Sequence, residues 1–278
     1  MLTRPRRSCL TVPGSSERML EKAAGLPADE VIVDLEDAVA AADKEAARET
    51  ARAAIRRGLG RTTALRVNGR ATPWWEDDLR AAAEARPDVV VLPKVESADD
   101  VAAAAELLPA GMGLEAQIET ARGLVEVERI AAAGHGLEAL VLGPADLAAS
   151  LGIPVLTIGA GVGDYTLARI AVAARAHGLQ AVDGPHAVLG DRDGLVASAR
   201  RALALGYDGK WAIHPEQLEP VNEIFTPSAE EVARAERILA CPPGAARYEG
   251  ELVDEASRRL AAALLARRSS LRRRTSGA

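Results

Sequence analysis

The sequence predicts a closed α/β barrel of eight parallel strands, each followed by a helix: the (β/α)8 TIM barrel, with a C-terminal helical extension. Three observations carry this. Eight short apolar runs alternate with longer segments whose apolar residues recur at helical spacing, a pattern of parallel strands joined by crossover helices. The runs are near-continuously apolar, as strands buried on both faces are. The chain has 278 residues, and one such barrel commonly takes about 250.

The strands fall at residues 8–12, 31–34, 64–67, 89–93, 114–118, 139–142, 180–182 and 210–213. The clearest helical segments between them are 43–57, 74–85, 97–108, 121–133, 165–177 and 192–205. A doubly wound open sheet is the competing fold, and it often carries a glycine-rich phosphate loop after its first strand. Here Pro13-Gly14-Ser15-Ser16 follows instead. The glycine-rich run 159–163 follows no strong strand and reads as a flexible loop. Beyond the eighth strand, Ser228 and Glu231 have the form of a capping box, which starts a helix running to about Ala240. Cys241-Pro242-Pro243-Gly244 breaks it, and a last helical stretch covers about 251–266. The expected organisation is a catalytic barrel over 1–240, a helical extension over 241–266 and a disordered basic tail over 267–278.

Composition narrows the function. A net charge of −6 and 3% aromatic residues disfavour nucleic-acid binding. Two distant cysteines, Cys9 and Cys241, give neither a disulfide framework nor a zinc spacing. The apolar run near the start is too short for a signal peptide, and no stretch has the length of a membrane span. The expected location is the cytoplasm, without a membrane partner.

In a barrel of this kind, catalytic groups sit at the C-terminal ends of the strands. Nearly every run here delivers a polar or charged group to that end: Asp34, Glu36 and Asp37; Arg66 and Asn68; Lys94; Glu119; Asp146; Asp183; and His214. A full ring of such groups is hard to explain as solvation. Glu119 and Asp146 follow neighbouring strands and can share a small cation. An oxygen-only shell favours Mg2+, with Mn2+ second. The alternatives are a helix N-terminal acid for Asp146 and an ion pair for Glu119. Arg66 lies inside an apolar run and needs an anion, either a substrate oxygen or a nearby Glu36 or Asp37. Lys94 reads as an ion-pair partner of the acids, or as a Schiff-base lysine. His214 reads as a hydrogen-bonding residue, or as a base. Asp34 supports its loop, and Glu36 and Asp37 suit the outer shell of a metal. Arg4, Arg6, Arg7, Lys22 and Lys44 are possible phosphate contacts, with surface solvation expected for most of them.

Taken in order, the motifs resemble the citrate lyase beta subunit-like family. They are Arg7-Ser8 with Val12-Pro13-Gly14, Asp34-Leu35-Glu36-Asp37-Ala38-Val39, Arg66-Val67-Asn68, Leu92-Pro93-Lys94-Val95-Glu96, Ile118-Glu119-Thr120-Ala121, Gly143-Pro144-Ala145-Asp146-Leu147 and Gly209 through Gln217. Each is weak alone, and the ordered set, over about residues 6–240, is specific. The resemblance implies a barrel related to malyl-CoA and citramalyl-CoA lyases, with Mg2+ on Glu119 and Asp146. It places the substrate against Arg66, Glu119, Pro144 and Ala145. The implied reaction cleaves a 3-hydroxyacyl-CoA into an acyl-CoA and a 2-oxo acid. The stretch from Tyr248 to Asp254 resembles the segment that brings a base into a neighbouring subunit's site. Asp254 is thus the candidate base, in a homotrimer or hexamer; the alternative is an ordinary acid early in the last helix. A citrate lyase beta subunit working on a carrier-bound citryl thioester, and a CoA-independent metal aldolase, are the other readings. The loops around 157–164 and 184–189 depart from the family pattern and leave the acyl group open.

Overall fold

The computed structural model describes residues 4–154, 156 and 162–272. Eight parallel strands close into a barrel in sequence order. They are β1 (Ser8–Pro13), β2 (Glu30–Asp34), β3 (Thr63–Arg66), β4 (Val89–Leu92), β5 (Gly113–Ile118), β6 (Leu137–Leu142), β7 (Gln180–Asp183) and β8 (Gly209–Ala212). The connecting helices are α1 (Glu17–Ala24), α2 (Lys44–Arg57), α3 (Trp75–Ala85), α4 (Ala98–Leu107), α5 (Ala121–Val125), α6 (Val127–Ala131), α7 (Pro144–Ser150), α8 (Asp164–Ala176), α9 (Arg192–Ala204) and α10 (Leu218–Ile224). α11 (Ala229–Ala240), the hairpin strands β9 (Ala246–Tyr248) and β10 (Glu251–Val253), and α12 (Glu255–Arg272) follow. No helix among the described residues is long and apolar enough to cross a membrane.

Alternate strand residues fill the barrel. Cys9, Ile32, Ala64, Val89, Val91, Ala139, Val141, Val182 and Trp211 form one buried cluster. With few aromatics in the chain, small and branched side chains do this packing, and the single large ring is Trp211. The N-terminal end of the barrel is polar. Arg6 is fully buried, and its guanidinium pairs with Glu30 (3.1 Å), Glu115, Glu138 (2.6 Å) and Gln180 (2.5 Å). Burial, and then the charge of Glu115 beside it, push the Glu30 carboxyl well above its ordinary range. The ring closes where β1 pairs with β8. Gly209 stands at that seam, because a Cβ there would lie 1.6 Å from the Arg6 carbonyl oxygen.

Several expectations are corrected. Arg6 and Lys44 are not solvated surface groups. Arg6 plugs the barrel, and Lys44 Nζ donates to the carbonyls of Leu35 and Glu36 (2.6 Å each) and to Asn68 Oδ1 (2.7 Å). A charge surrounded by acceptors is held inside, because leaving them unpaired would cost more than desolvating the cation. Arg7 is clamped on Asp29 at 2.7 Å. By its contacts the chain forms two compact units, which meet between Glu223 and Ile224. The stretch from Glu251 is a strand before it is a helix, and α12 runs on to Arg272, six residues into the expected tail. Arginine is a good helix former, so a basic segment extends a helix readily. Residues 157–161, with most of the glycine-rich run, and 273–278 lie outside the described residues.

The unit from Ile224 onward has its own contacts. Ser228 and Glu231 form the capping box of α11. The Arg258 guanidinium donates to the carbonyls of Cys241 (2.9 Å) and Pro242, tying α12 to the end of α11. Arg234 pairs with Glu251 at 2.6 Å and Arg237 lies over the Tyr248 ring, so α11 also holds the hairpin.

Candidate active site

The strand ends bring charged groups from five elements into one cluster inside the barrel unit. Asp34 ends β2 and is fully buried. Its oxygens accept the amides of Glu36 (2.8 Å) and Ala38 (3.2 Å), which turns the chain out of the strand. The same carboxylate takes Arg66 in a two-point contact, Nε at 2.8 Å and Nη2 at 2.5 Å. Arg66 Nη1 lies 2.9 Å from Glu36 Oε2, and the guanidinium sits 5.4 Å from the Trp211 ring. The partners are thus Asp34 and Glu36, not Asp37. A guanidinium has five N–H groups. Nε and Nη2 each donate one to Asp34, and Nη1 lies only at ion-pair distance from Glu36, so N–H groups on both terminal nitrogens are left for a further acceptor.

Asn68 and Asp78 hold the loop behind this pair. Asp78 Oδ2 accepts the Asn68 amide (2.9 Å) and Asn68 Nδ2 (2.6 Å), and Asn68 Nδ2 reaches the Leu35 carbonyl (3.0 Å). Lys44 completes the brace, so the backbone carrying Glu36 is fixed from three sides.

Glu119 follows β5 and is 1% exposed. Both of its oxygens are oriented: Oε1 accepts the Lys94 amide at 2.8 Å, and Oε2 accepts Gln117 Nε2 at 2.6 Å. Lys94 adopts φ +52, in the left-handed region, and this turns its amide toward Glu119. Gly143 is required opposite, since a Cβ there would lie 2.2 Å from Glu119 Oε2. Burial, reinforced by the charges of Glu36 and Asp146, raises the Glu119 carboxyl to about 8. Glu36 is raised too, mainly by burial and against the pull of Arg66.

Lys94 lies among the acids. Its ammonium bonds Glu36 and stands 3.9 Å from Asp146 and 4.0 Å from Asp37. Burial alone would depress it, but the Glu36 hydrogen bond and the surrounding carboxylates hold it above the ordinary lysine range. A protonated amine paired in this way is not poised for Schiff-base chemistry. Asp146 lies in the first turn of α7, behind Pro144 at the helix start, and is half-exposed. The donor set fits a hard divalent cation. It is oxygen-only, it carries excess negative charge, and the Gln117 Oε1 beside it is buried without a hydrogen-bond partner. Among the described residues, no group of three or more His, Cys, Asp or Glu is placed to hold a metal.

Two further candidates make contacts of their own. His214 Nδ1 accepts the Glu216 amide at 3.4 Å, capping its own turn. Asp254 belongs to the C-terminal unit, where it precedes α12 and accepts the Ser257 amide at 2.9 Å. That bond lowers its pKa, so it is a carboxylate at neutral pH. Sequence reasoning passed over Gln117, which orients Glu119, and Trp211, whose ring lies against Arg66. Gln117 had a signal: two residues before Glu119 on a strand is the same face.

Known proteins are similar to this chain in sequence and fold. Residues 7–215 match the family model for HpcH/HpaI aldolase/citrate lyase. A (3S)-malyl-CoA thioesterase of Cereibacter sphaeroides is 44% identical over 88% of this chain and 85% of its own length. An L-malyl-CoA/beta-methylmalyl-CoA lyase of the same species is 40% identical over 91% of this chain and 92% of its own. The crystal structure of CitE from Mycobacterium tuberculosis, in complex with magnesium, acetoacetate and coenzyme A, superposes with a TM-score of 0.81. It is 36% identical, covering 94% of this chain and 97% of that one.

Proposed function

The chain belongs to the HpcH/HpaI aldolase/citrate lyase family, and on that premise we propose that it is a magnesium-dependent carbon–carbon lyase. Its substrate is a 3-hydroxyacyl-CoA of the malyl-, methylmalyl- or citramalyl-CoA type, cleaved to an acyl-CoA and a 2-oxo acid. The observation that carries this reading is the gathering of Glu119, Asp146, Glu36 and Lys94 around Arg66 at the strand ends of one barrel. Relatives named as a malyl-CoA lyase and a CitE bound to magnesium and coenzyme A support it.

Glu119 and Asp146 would hold a divalent cation, Mg2+ or Mn2+, which would supply positive charge to acidify the substrate hydroxyl. The protein's own groups do the rest. Gln117 and the Lys94 amide keep both Glu119 oxygens in place, so no reorganisation is needed when charge develops. Arg66, held by Asp34 beside Glu36, offers the free N–H groups of its terminal nitrogens to the oxygen that gains charge as the carbon–carbon bond breaks. Pro144 and Ala145, which open α7, pack against the 2-oxo acid portion. Asp37 and Lys94 balance charge at the rim, and His214 supports its strand end. Asp254, contributed by a neighbouring subunit of a homotrimer or hexamer, takes the hydroxyl proton. Its lowered pKa leaves it in the carboxylate form that a base requires. The setting is cytoplasmic, with small-molecule partners only: a CoA thioester and a 2-oxo acid.

Metal binding is expected to depend on pH. With Glu119 at about 8, most copies carry a proton at pH 7, and a cation must displace it. Affinity for Mg2+ therefore rises between about pH 6 and 9. Titration calorimetry at pH 7 in buffers of different ionisation enthalpy is expected to read close to one proton released. No release would mean that Glu119 is already ionised.

The activity test is incubation with Mg2+ and a panel of malyl-, methylmalyl-, citramalyl- and hydroxymethylglutaryl-CoA, with products followed by mass spectrometry and Glu119→Ala as control. Acyl-CoA plus 2-oxo acid is the expected outcome. The 44% identical thioesterase gives a second reading, hydrolysis of the thioester, which yields free CoA and a hydroxy acid instead. Inertness toward the whole panel would point to the carrier-dependent citrate lyase subunit or the CoA-independent aldolase.

A further inference from the structure

β7 ends in a buried ion pair. Asp183 and Lys210 are 5% and 2% exposed, and they stand in register on neighbouring strands. Lys210 Nζ commits all three of its donors. They go to Asp183 Oδ2 at 2.5 Å, to the Gly184 carbonyl at 2.7 Å and to Ser198 Oγ of α9 at 2.9 Å. The other Asp183 oxygen accepts the Gly184 amide at 2.9 Å. Gly184 is thus gripped by its amide and by its carbonyl. The grip is stiff, because opening a buried pair strands a charge.

Gly184 in turn lies against the chain that leads to Asp146. A Cβ on Gly184 would stand 2.3 Å from Pro144 Cδ and 2.7 Å from both Pro144 Cγ and the Leu142 carbonyl oxygen. Leu142 ends β6, Pro144 opens α7, and Asp146 follows in the first turn of that helix. The φ of Gly184 lies outside the left-handed region, so the missing side chain answers to this contact and not to backbone conformation. A proline ring cannot swing aside by changing rotamer, so a push on it moves the backbone. Glu119 is oriented through its own oxygens. Asp146 is half-exposed, with Lys94 at 3.9 Å, and the backbone beneath it decides where it stands. We propose that Gly184, gripped by Asp183 and Lys210, is a positioning residue for Asp146: it sets how close the start of α7 comes to the end of β7, and so where the Asp146 carboxylate meets a cation. This rests on the reading of Glu119 and Asp146 as the metal ligands.

The test is Gly184→Ala. Val182→Ala is the comparison, since it loosens the core of the same strand and leaves the Gly184–Pro144 contact as it is. Ordinary carbon–carbon contacts are about 3.5 Å or longer, so the added methyl displaces Pro144 by about 1 Å. A crystal structure of the metal-free variant is expected to show that shift, with Asp146 moved relative to Lys94. Calorimetric titration is expected to give an Mg2+ affinity lower by about tenfold or more, while Val182→Ala stays within about threefold of wild type. Pro144→Ala removes the ring carbons that the methyl strikes, so the two substitutions together are expected to cost less affinity than their sum. An unmoved α7 overturns the positioning role. So do unchanged Mg2+ affinity in Gly184→Ala, an equal loss in Val182→Ala, and strict additivity with Pro144→Ala. Should Gly184→Ala not fold, the grip is opened from the other side by Asp183→Asn with Lys210→Met, which strands no charge. Weaker Mg2+ binding is expected there too, and unchanged binding overturns the proposal. If Asp146→Ala binds Mg2+ as the wild type does, the metal reading fails instead, and the crystallographic shift of Asp146 then decides the positioning role by itself.

Discussion

Glu119→Gln is expected to lower kcat/KM by about a thousandfold, the scale of losing one preorganised charge-stabilising group. The substitution is nearly isosteric. The carbonyl oxygen of the new amide can still accept the Lys94 amide, so the barrel is expected to keep its thermal midpoint. What disappears is the anionic donor. Affinity for Mg2+ is expected to fall by about a hundredfold or more, beyond the 10- to 100-fold typical of losing a mere outer-shell partner. The rise of metal affinity with pH disappears along with the titrating carboxyl. Calorimetric titration across pH 6–9, together with steady-state kinetics, reads all three effects. Retention of Mg2+ affinity to within about threefold would move the cation away from Glu119 and onto Asp146 with Glu36 or Asp37.

Arg66→Lys is the second large effect, and it acts on stability as well as rate. The guanidinium donates to both Asp34 oxygens and lies 2.9 Å from Glu36. An ammonium is a point charge on a shorter reach and cannot satisfy both acids. Asp34 is fully buried, and stranding such a carboxylate costs about 3–5 kcal/mol. Chemical denaturation is expected to show a loss in the lower part of that range, since Lys94 still serves Glu36. Activity is expected to fall by about a hundredfold or more, because the terminal N–H groups that meet developing charge vanish together. Asp34→Asn in the Arg66→Lys background is expected to recover stability but not rate. Loss of both in parallel, with no recovery, would make Arg66 a purely structural residue.

The eight strands and five of the six expected helices were legible because each repeats its periodicity over many residues; the sixth, expected over 121–133, is two five-residue helices, α5 and α6. All eight strand positions agree to within two residues. The short helices α1, α7 and α10 were passed over, since one or two turns hold too few apolar positions to show a period. The β9–β10 hairpin was hidden for another reason. Its turn residues, Glu249 and Gly250, have φ +50 and +87, the positive pair of a tight hairpin, which usually announces itself as Asn-Gly or Asp-Gly. Glu in the first place disguised it, and the Ala- and Arg-rich segment that follows extended the helical pattern backward over Glu251.

The site divides in the same way. Arg66, Lys94, Glu119 and Asp146 are charged residues at the ends of apolar runs, and that position is visible in a one-dimensional reading. Gln117 and Trp211 sit inside the runs, where they pass for ordinary strand residues until their contacts with Glu119 and Arg66 are seen. The bidentate use of Asp34 was also out of reach, because a turn-forming aspartate and an arginine clamp leave the same letter in the sequence.

The seam between β1 and β8 has a consequence for synthesis. The first strand leaves the ribosome early, while its second hydrogen-bonding neighbour is among the last parts of the barrel to be made. Until Gly209 emerges and slides under the Arg6 carbonyl, the nascent chain is an open, twisted sheet with an unpaired edge. Contacts between residues so distant in sequence form slowly, and exposed edges invite pairing with other chains. The free edge of β1 is thus the part of the growing chain most open to wrong pairing, and it stays so until the eighth strand is out.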